Sequence, residues 1–331
     1  MKLALVKLQF RSSHIMIRRA YGVLKNQYKY SQQFKELQID NVPDLPYHET
    51  VPLAWQSFKG TNTIDETKAP MVMLHGILGH KQNFSSVGRH ICSISKRDVV
   101  AVDMRNHGAT MLAAPHDYMS MTRDAIAFVE SNFQKPVVLA GYSMGAKVAM
   151  LATLFRPELF EKLVVIDNSP VDQPLESQFL TILVGMAYVE RDESVKGLRG
   201  SSLIRRIDQI LAPFEKRKIV RQYLTSSLNR KSTEEDKNSG RTYKVPILNF
   251  LKDRTLEQLE LWPDEADGLQ YSGPVRVMRG LKSPFVTDTN LKRDFPKYFP
   301  HVSVTDFNAG HWLMSEQPER FVHQLLAFLE R

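Results

Sequence analysis

The chain has 331 residues, 43% of them apolar and 24% charged, a composition that fits one large globular domain or a core domain carrying an insertion. No uninterrupted apolar stretch approaches the ~20 residues that a membrane-spanning helix needs. The single cysteine, Cys92, leaves no partner for an intramolecular disulfide, which fits a reducing or matrix-like compartment.

The formal net charge is +8, and its location matters more than its size. Lys2, Lys7, Arg11, Arg18, Arg19, Lys25, Lys29 and Lys35 all precede the first acidic residue, Glu36, and the remaining chain balances 36 basic residues against 36 acidic ones. No basic stripe interleaved with aromatics marks a nucleic-acid partner. Apolar Leu3, Val6, Phe10 and Ile17 alternate with the cations at near-helical spacing, so residues 1–35 read as a mitochondrial transit peptide and tail addressed to the matrix. Lys7 interrupts what would be the apolar run of a secretory signal, and Arg19-Ala20-Tyr21 resembles a processing site with cleavage near Gly22. The plainer alternative is a disordered basic tail.

Folded structure is expected from about Tyr47. Val51 to Phe58 alternates apolar and polar residues as an edge strand does. Apolar runs of strand length follow at Met71–Leu74, Val99–Val102, Val137–Ala140, Leu163–Ile166, Val275–Met278 and Val302–Val304. Helical lengths lie between most of them, at Asn83–Ser95, Met119–Asn132 and Gly145–Phe155, and Pro318–Leu329 closes the chain. This alternation predicts a mostly parallel sheet with helices on both faces, whose ligands bind at the carboxyl ends of the strands. About 105 residues interrupt it after Ile166, with helical patterns at Ser202–Leu211 and Lys216–Leu228 and a polar connection from Arg230 to Arg241. Residues 172–268 are therefore read as a helical cap, and 36–171 with 269–331 as the core.

Gly141-Tyr142-Ser143-Met144-Gly145 is a G-x-S-x-G elbow between an expected strand and an expected helix, a setting that exposes a serine hydroxyl above a sheet. A serine needs a base to act as a nucleophile. In the order serine, acid, histidine, the histidine should follow the last strand, and His311 does so within Ala309-Gly310-His311-Trp312. His75 and His107 lie in glycine-containing loops that they are expected to shape; His48, His80, His90, His116, His301 and His323 read as surface residues. The loop Gly280-Leu281-Lys282-Ser283-Pro284, where such enzymes often carry the acid, has none before Asp288. Asp167 ends a strand 24 residues after Ser143 and is favoured over Asp288. Backbone amides should stabilise a developing oxyanion. One belongs to Met144, and the other to Ile77 or Leu78 in His75-Gly76-Ile77-Leu78-Gly79. No metal-ligand cluster and no glycine-rich phosphate loop are evident.

Together these motifs resemble the α/β-hydrolase superfamily. Asp103-Met104-Arg105-Asn106-His107-Gly108 is similar to the D-x-R-N-H-G loop of a mitochondrial and bacterial abhydrolase branch, as are the elbow, the acid at Asp167 and the A-G-H-W ending. With the basic presequence and the cap ending Leu261-Trp262-Pro263, the chain looks most like the fungal mitochondrial ethanol acetyltransferases. The resemblance covers about Tyr47 to Arg331. It implies the α/β-hydrolase fold, a mostly parallel central sheet flanked by helices, with the cap inserted between the sixth and seventh strands. It also implies a Ser143, Asp167 and His311 triad. The implied reaction is acetyl transfer from acetyl-CoA to ethanol through an acyl-serine, giving ethyl acetate, with ester and thioester hydrolysis on the side. Acetyl-CoA would be a substrate, and no permanently bound cofactor is implied. Tyr142 departs from the pattern, since many relatives have histidine there.

The rival readings are a mitochondrial serine esterase or thioesterase, and a non-catalytic binding protein on the same fold. The cap offers one hint about substrate. From Lys196 to Arg254 it holds fifteen basic and six acidic residues, an excess that would attract the phosphates of coenzyme A. A solvated face of amphipathic helices is the bland equivalent.

Overall fold

The computed structural model describes residues 31–175, 177–229 and 242–330. Residues 1–30, most of the segment expected to be a transit peptide, and the polar connection at 230–241 lie outside them. The chain divides into a short unit ending at Pro43 and a large unit beginning at Asp44. In the short unit residues 31–36 are helical and Ile39–Asn41 form a 3-10 turn.

The large unit holds a seven-stranded sheet of β1 (Trp55–Phe58), β2 (Met71–Leu74), β3 (Val99–Val102), β4 (Val137–Tyr142), β5 (Phe160–Ile166), β6 (Val275–Gly280) and β7 (Val302–Phe307). Their spatial order is β1-β3-β2-β4-β5-β6-β7. β1 runs antiparallel to β3, and the other neighbours are parallel. β1 is shorter than the alternation from Val51 to Phe58 predicts. The Val51 amide donates to Asp124 Oδ1 at 2.8 Å and the Ala54 amide to Thr110 Oγ1 at 2.9 Å, while Pro52 has no amide hydrogen to give. These amides are satisfied by side chains, and the Ala54 carbonyl still accepts a backbone amide, that of Asp103 at 2.7 Å.

The central strands are buried on both faces, as continuous apolar runs require. Alternate residues sort into two cores. Val72, Leu74, Val100, Val102, Leu139 and Val165 face one, and Met71, Met73, Val99, Ala101, Val138 and Val164 face the other. In the large unit, α1 (Ser85–Ser95) covers the second core, while α2 (Tyr118–Asn132) and α3 (Met144–Phe155) cover the first. α2 is N-capped by Asp117, whose carboxylate accepts the Ser120 amide at 2.7 Å, the usual service of an aspartate to free first-turn amides.

Between β5 and β6 come the cap helices α4 (Ser177–Arg191), α5 (Gly200–Leu211), α6 (Lys218–Ser226), α7 (Ile247–Lys252) and α8 (Thr255–Leu259). Counted along this chain, the insertion falls between the fifth and sixth strands of seven. The expected place between the sixth and seventh presupposes one more strand before it. α9 (Phe295–Tyr298), α10 (Leu313–Glu316) and α11 (Pro318–Leu329) complete the unit, and α11 packs beside α1 on the second core. Among the described residues no helix is long and apolar enough to cross a membrane.

Candidate active site

β4 runs directly into the elbow, and α3 begins at Met144. Ser143 sits at the join with φ 54° and ψ −116°, a conformation that costs a non-glycine residue roughly 1–3 kcal/mol and persists only when its surroundings impose it. The glycines make the turn possible. A Cβ on Gly141 would lie 2.1 Å from the Gly145 carbonyl oxygen, and one on Gly145 would lie 2.5 Å from that of Leu74. The Ser143 amide donates to the Ile166 carbonyl at 2.9 Å, and Asn168 Nδ2 donates to the Ser143 carbonyl at 3.0 Å. The end of β5 thus pins the turn.

His311 lies in the loop after β7. Its Nε2 is 2.9 Å from Ser143 Oγ and its Nδ1 is 2.7 Å from Asp167 Oδ2. With Nδ1–H donating to the carboxylate, Nε2 is free to accept the serine proton. Asp167 is fully buried just past β5, with a left-handed φ of 53°, and its Oδ1 accepts the Gly280 amide at 2.9 Å. The imidazole lies between Tyr142, at a centroid distance of 5.1 Å, and Phe285, at 4.4 Å. The Tyr142 hydroxyl also donates to the His311 carbonyl at 3.1 Å. Asp288 points elsewhere. Its carboxylate is 76% exposed and pairs with Arg279 at 2.5 Å.

The loop after β2 carries the two alternative amide donors, and they differ. The Leu78 amide donates to His107 Nε2 at 3.1 Å, which takes it out of contention. The Ile77 amide has no protein partner among the described residues, nor has that of Met144. Both residues line a small cleft beside Ser143, together with Lys147, Leu175, Phe179 and Phe285.

The D-x-R-N-H-G loop builds the support for this region. Asp103 accepts the amides of Lys81 at 2.7 Å and Ala109 at 2.8 Å and pairs with the Lys81 ammonium. Gly108, at φ 59°, has no room for a Cβ, which would fall 2.1 Å from the Asp103 carboxyl carbon. Arg105 is wholly buried and held in a two-point pair with Asp124, at 2.6 and 2.9 Å. His107 Nδ1–H donates to the Arg105 carbonyl at 2.9 Å, leaving Nε2 to hold Leu78. His75 works in the same way, with Nδ1–H donating to the Gly76 carbonyl at 2.8 Å and Nε2 accepting the Met104 amide at 3.0 Å. Burial pulls the pKa of His75 down to about 3 and that of His107 to about 4, so both rings are neutral and their tautomers are set by their partners.

Two histidines assigned to the surface are buried instead. His80 Nε2 meets the Ser226 carbonyl of α6 at 2.9 Å, and His116 stacks on Phe250 of α7 at 4.6 Å. Lys147 also lines the cleft, and the motifs did not flag it. It is 1% exposed, and its Nζ donates to the carbonyls of Val171 at 2.9 Å, Leu261 at 3.2 Å and Glu260 at 3.4 Å. Burial draws its pKa down to about 7. The available signal was the one charged residue of α3.

Residues 69–318 match the family described as the alpha/beta hydrolase fold. The chain is similar to ethanol acetyltransferase 1 of Wickerhamomyces anomalus, being 29% identical over 311 residues that cover 88% of this chain and 77% of that protein. It is 32% identical to an abhydrolase domain-containing protein of Schizosaccharomyces pombe over 279 residues, covering 84% of this chain and 97% of that one. Among solved structures, a marine microorganism esterase superposes with a TM-score of 0.68 at 23% identity, covering 84% of this chain and 99% of that chain.

Proposed function

The chain belongs to the α/β-hydrolase fold family, and on that premise we propose that it is a serine-dependent alcohol acetyltransferase that moves an acetyl group from acetyl-CoA to ethanol. The observation that carries the proposal is the continuous relay from Ser143 Oγ to His311 Nε2 at 2.9 Å and from His311 Nδ1 to Asp167 at 2.7 Å. The acetyl donor and the alcohol are carried over from the printed name of the Wickerhamomyces relative and from the cation excess of the cap.

Ser143 Oγ attacks the thioester carbonyl while His311 Nε2 takes its proton. Asp167 keeps the imidazole in the productive tautomer and stabilises the imidazolium. The oxyanion is held by the amides of Ile77 and Met144; such preformed donors are worth roughly 2.7–4 kcal/mol each in the transition state. Collapse breaks the carbon–sulfur bond, His311 returns its proton to the departing thiolate, and an acetyl-serine remains. Ethanol attacks the acetyl-serine, again giving its proton to His311, and ethyl acetate leaves as Ser143 recovers the proton. Water in place of ethanol gives acetate, so transfer and hydrolysis share the intermediate. The nucleophile that the cap admits decides between them.

The full-length chain incubated with acetyl-CoA, with and without ethanol, tests this. Ethyl acetate formed only with ethanol supports transfer. Acetate alone in both reactions would leave the rival esterase or thioesterase reading standing, and failure to take up a fluorophosphonate would leave only the non-catalytic one. Residues 1–35 are proposed as the mitochondrial address.

A further inference from the structure

We propose that Lys147 is a specificity-determining residue whose buried side-chain nitrogen forms the polar end wall of the acyl cleft and restricts the enzyme to short acyl groups. The assignment rests on the serine chemistry proposed above.

The cleft begins at Ser143 and is lined there by Ile77 and Met144, the residues whose amides face the nucleophile. An acyl carbonyl bound at those amides sends its carbon chain into the cleft. Leu175, Phe179, Leu259 and Phe285 give the cleft apolar sides. Lys147 is the fourth residue of α3, four positions beyond Ser143, and also lines the cleft. Its Nζ is held by the carbonyl of Val171, where the chain leaves the core for the cap, and by those of Glu260 and Leu261, where it returns. The amide of Gln173 donates to the same Glu260 carbonyl at 2.7 Å, and the Trp262 amide donates to Asp172 at 2.6 Å. The two crossing segments are therefore tied together, and the end wall cannot swing aside without stranding buried polar groups.

On this assignment an acetyl methyl group ends before the wall. Each further methylene is pressed towards a nitrogen and its ring of carbonyls, where it gains none of the stabilisation that an apolar contact gives. It also competes with hydrogen bonds that the buried nitrogen must keep. The argument holds whether the nitrogen carries two or three hydrogens, because it is polar in either state.

The test is kcat/KM for p-nitrophenyl esters from acetate to octanoate, measured on the full-length wild type and on Lys147→Met. The wild type is expected to favour acetate over hexanoate by about tenfold or more, and the Met variant to raise the hexanoate-to-acetate ratio by about tenfold. If Lys147→Met lowers every ester equally, Lys147 is only a clasp at the cap neck and the proposal is overturned. Should that variant not fold, Lys147→Gln, which is shorter and keeps a donor for the Val171 carbonyl, is expected to raise the ratio as well, and an unchanged ratio overturns the proposal. A wild type that cleaves hexanoate as readily as acetate also overturns it, while leaving the serine chemistry intact. A wild type that cleaves no ester and takes up no fluorophosphonate would overturn the serine reading, and this assignment with it.

Discussion

Asp167 and Gly280 are joined by a 2.9 Å hydrogen bond, with the carboxylate at the end of β5 accepting the amide at the end of β6. Gly280 thus supplies a donor where the loop after it lacks an acid, and the donor holds the acid that comes from the neighbouring strand. Asp167→Asn should keep this bond through its carbonyl oxygen while turning an amide NH₂ towards His311. That forces Nε2 to carry the hydrogen and leaves Ser143 without a base. The expected loss in kcat is roughly 10³–10⁴-fold. Asp288→Asn removes only an exposed partner of Arg279, and its kcat should stay within about twofold of wild type. Steady-state kinetics on the two variants decide the assignment, and the reverse order of effects would move the acid to Asp288.

Ser143→Ala should lower turnover by roughly 10⁴-fold or more. Its stability should change by less than about 1 kcal/mol, because alanine meets the same φ of 54° and the deleted hydroxyl bonds only to His311 among the described residues. Fluorophosphonate uptake and urea unfolding measure the two halves of this prediction. A variant that still turns over near the wild-type rate would rule out a serine nucleophile.

What could be read in the sequence follows from how local each signal is. Met71–Leu74 and Val99–Val102 are apolar throughout because both faces of those strands are covered, and the glycines around Ser143 mark a turn that few other residues could make. α4 was missed for a physical reason. Leu183, Val184, Met186 and Ala187 are all buried, so the helix lacks the polar face that makes a helical period visible. The choice between Ile77 and Leu78 was closed to sequence because the partner that occupies the Leu78 amide, His107, lies 29 residues away. Lys147 was hidden in the same way, since its acceptors at 171, 260 and 261 lie 24, 113 and 114 residues away along the chain.

Tyr142→Phe isolates the hydroxyl from the ring. The ring contact with His311 at 5.1 Å remains, and the bond to the His311 carbonyl at 3.1 Å is lost. The loop carrying the histidine is then less firmly held. Stability should fall by about 1 kcal/mol, and kcat should fall by about three- to tenfold with KM little changed, as expected for a slightly misplaced base. A loss approaching that of Asp167→Asn would give the hydroxyl a part in the chemistry itself.

A fusion of residues 1–35 to a fluorescent reporter should enter mitochondria, and the mature chain should begin near Gly22. The eight cations without an acid before Glu36 are the feature that an import receptor would read. A cytosolic reporter would remove the proposed address. A purified chain starting at Gly22 that folds but has lost its activity would make the segment part of the enzyme.

Acid should weaken the fold before it titrates the carboxylates. His75 and His107 have an ordinary pKa of 6.5 and are drawn down by burial to about 3 and about 4 in the folded chain. Below pH 6.5 the unfolded chain binds protons at these rings that the folded chain refuses, so stability falls as pH drops from 6.5 towards 4. Each such histidine contributes a slope of about 1.4 kcal/mol per pH unit in that window. His107→Gln can still accept the Leu78 amide through its side-chain oxygen, but it cannot titrate. Urea unfolding of this variant between pH 6.5 and 4 should show a slope shallower by about 1.4 kcal/mol per pH unit than that of wild type, and its activity at pH 7.5 should stay within about tenfold of wild type. An unchanged slope would mean that His107 takes up its proton in the folded chain as easily as in the unfolded one, which its bond to Leu78 and its burial both oppose.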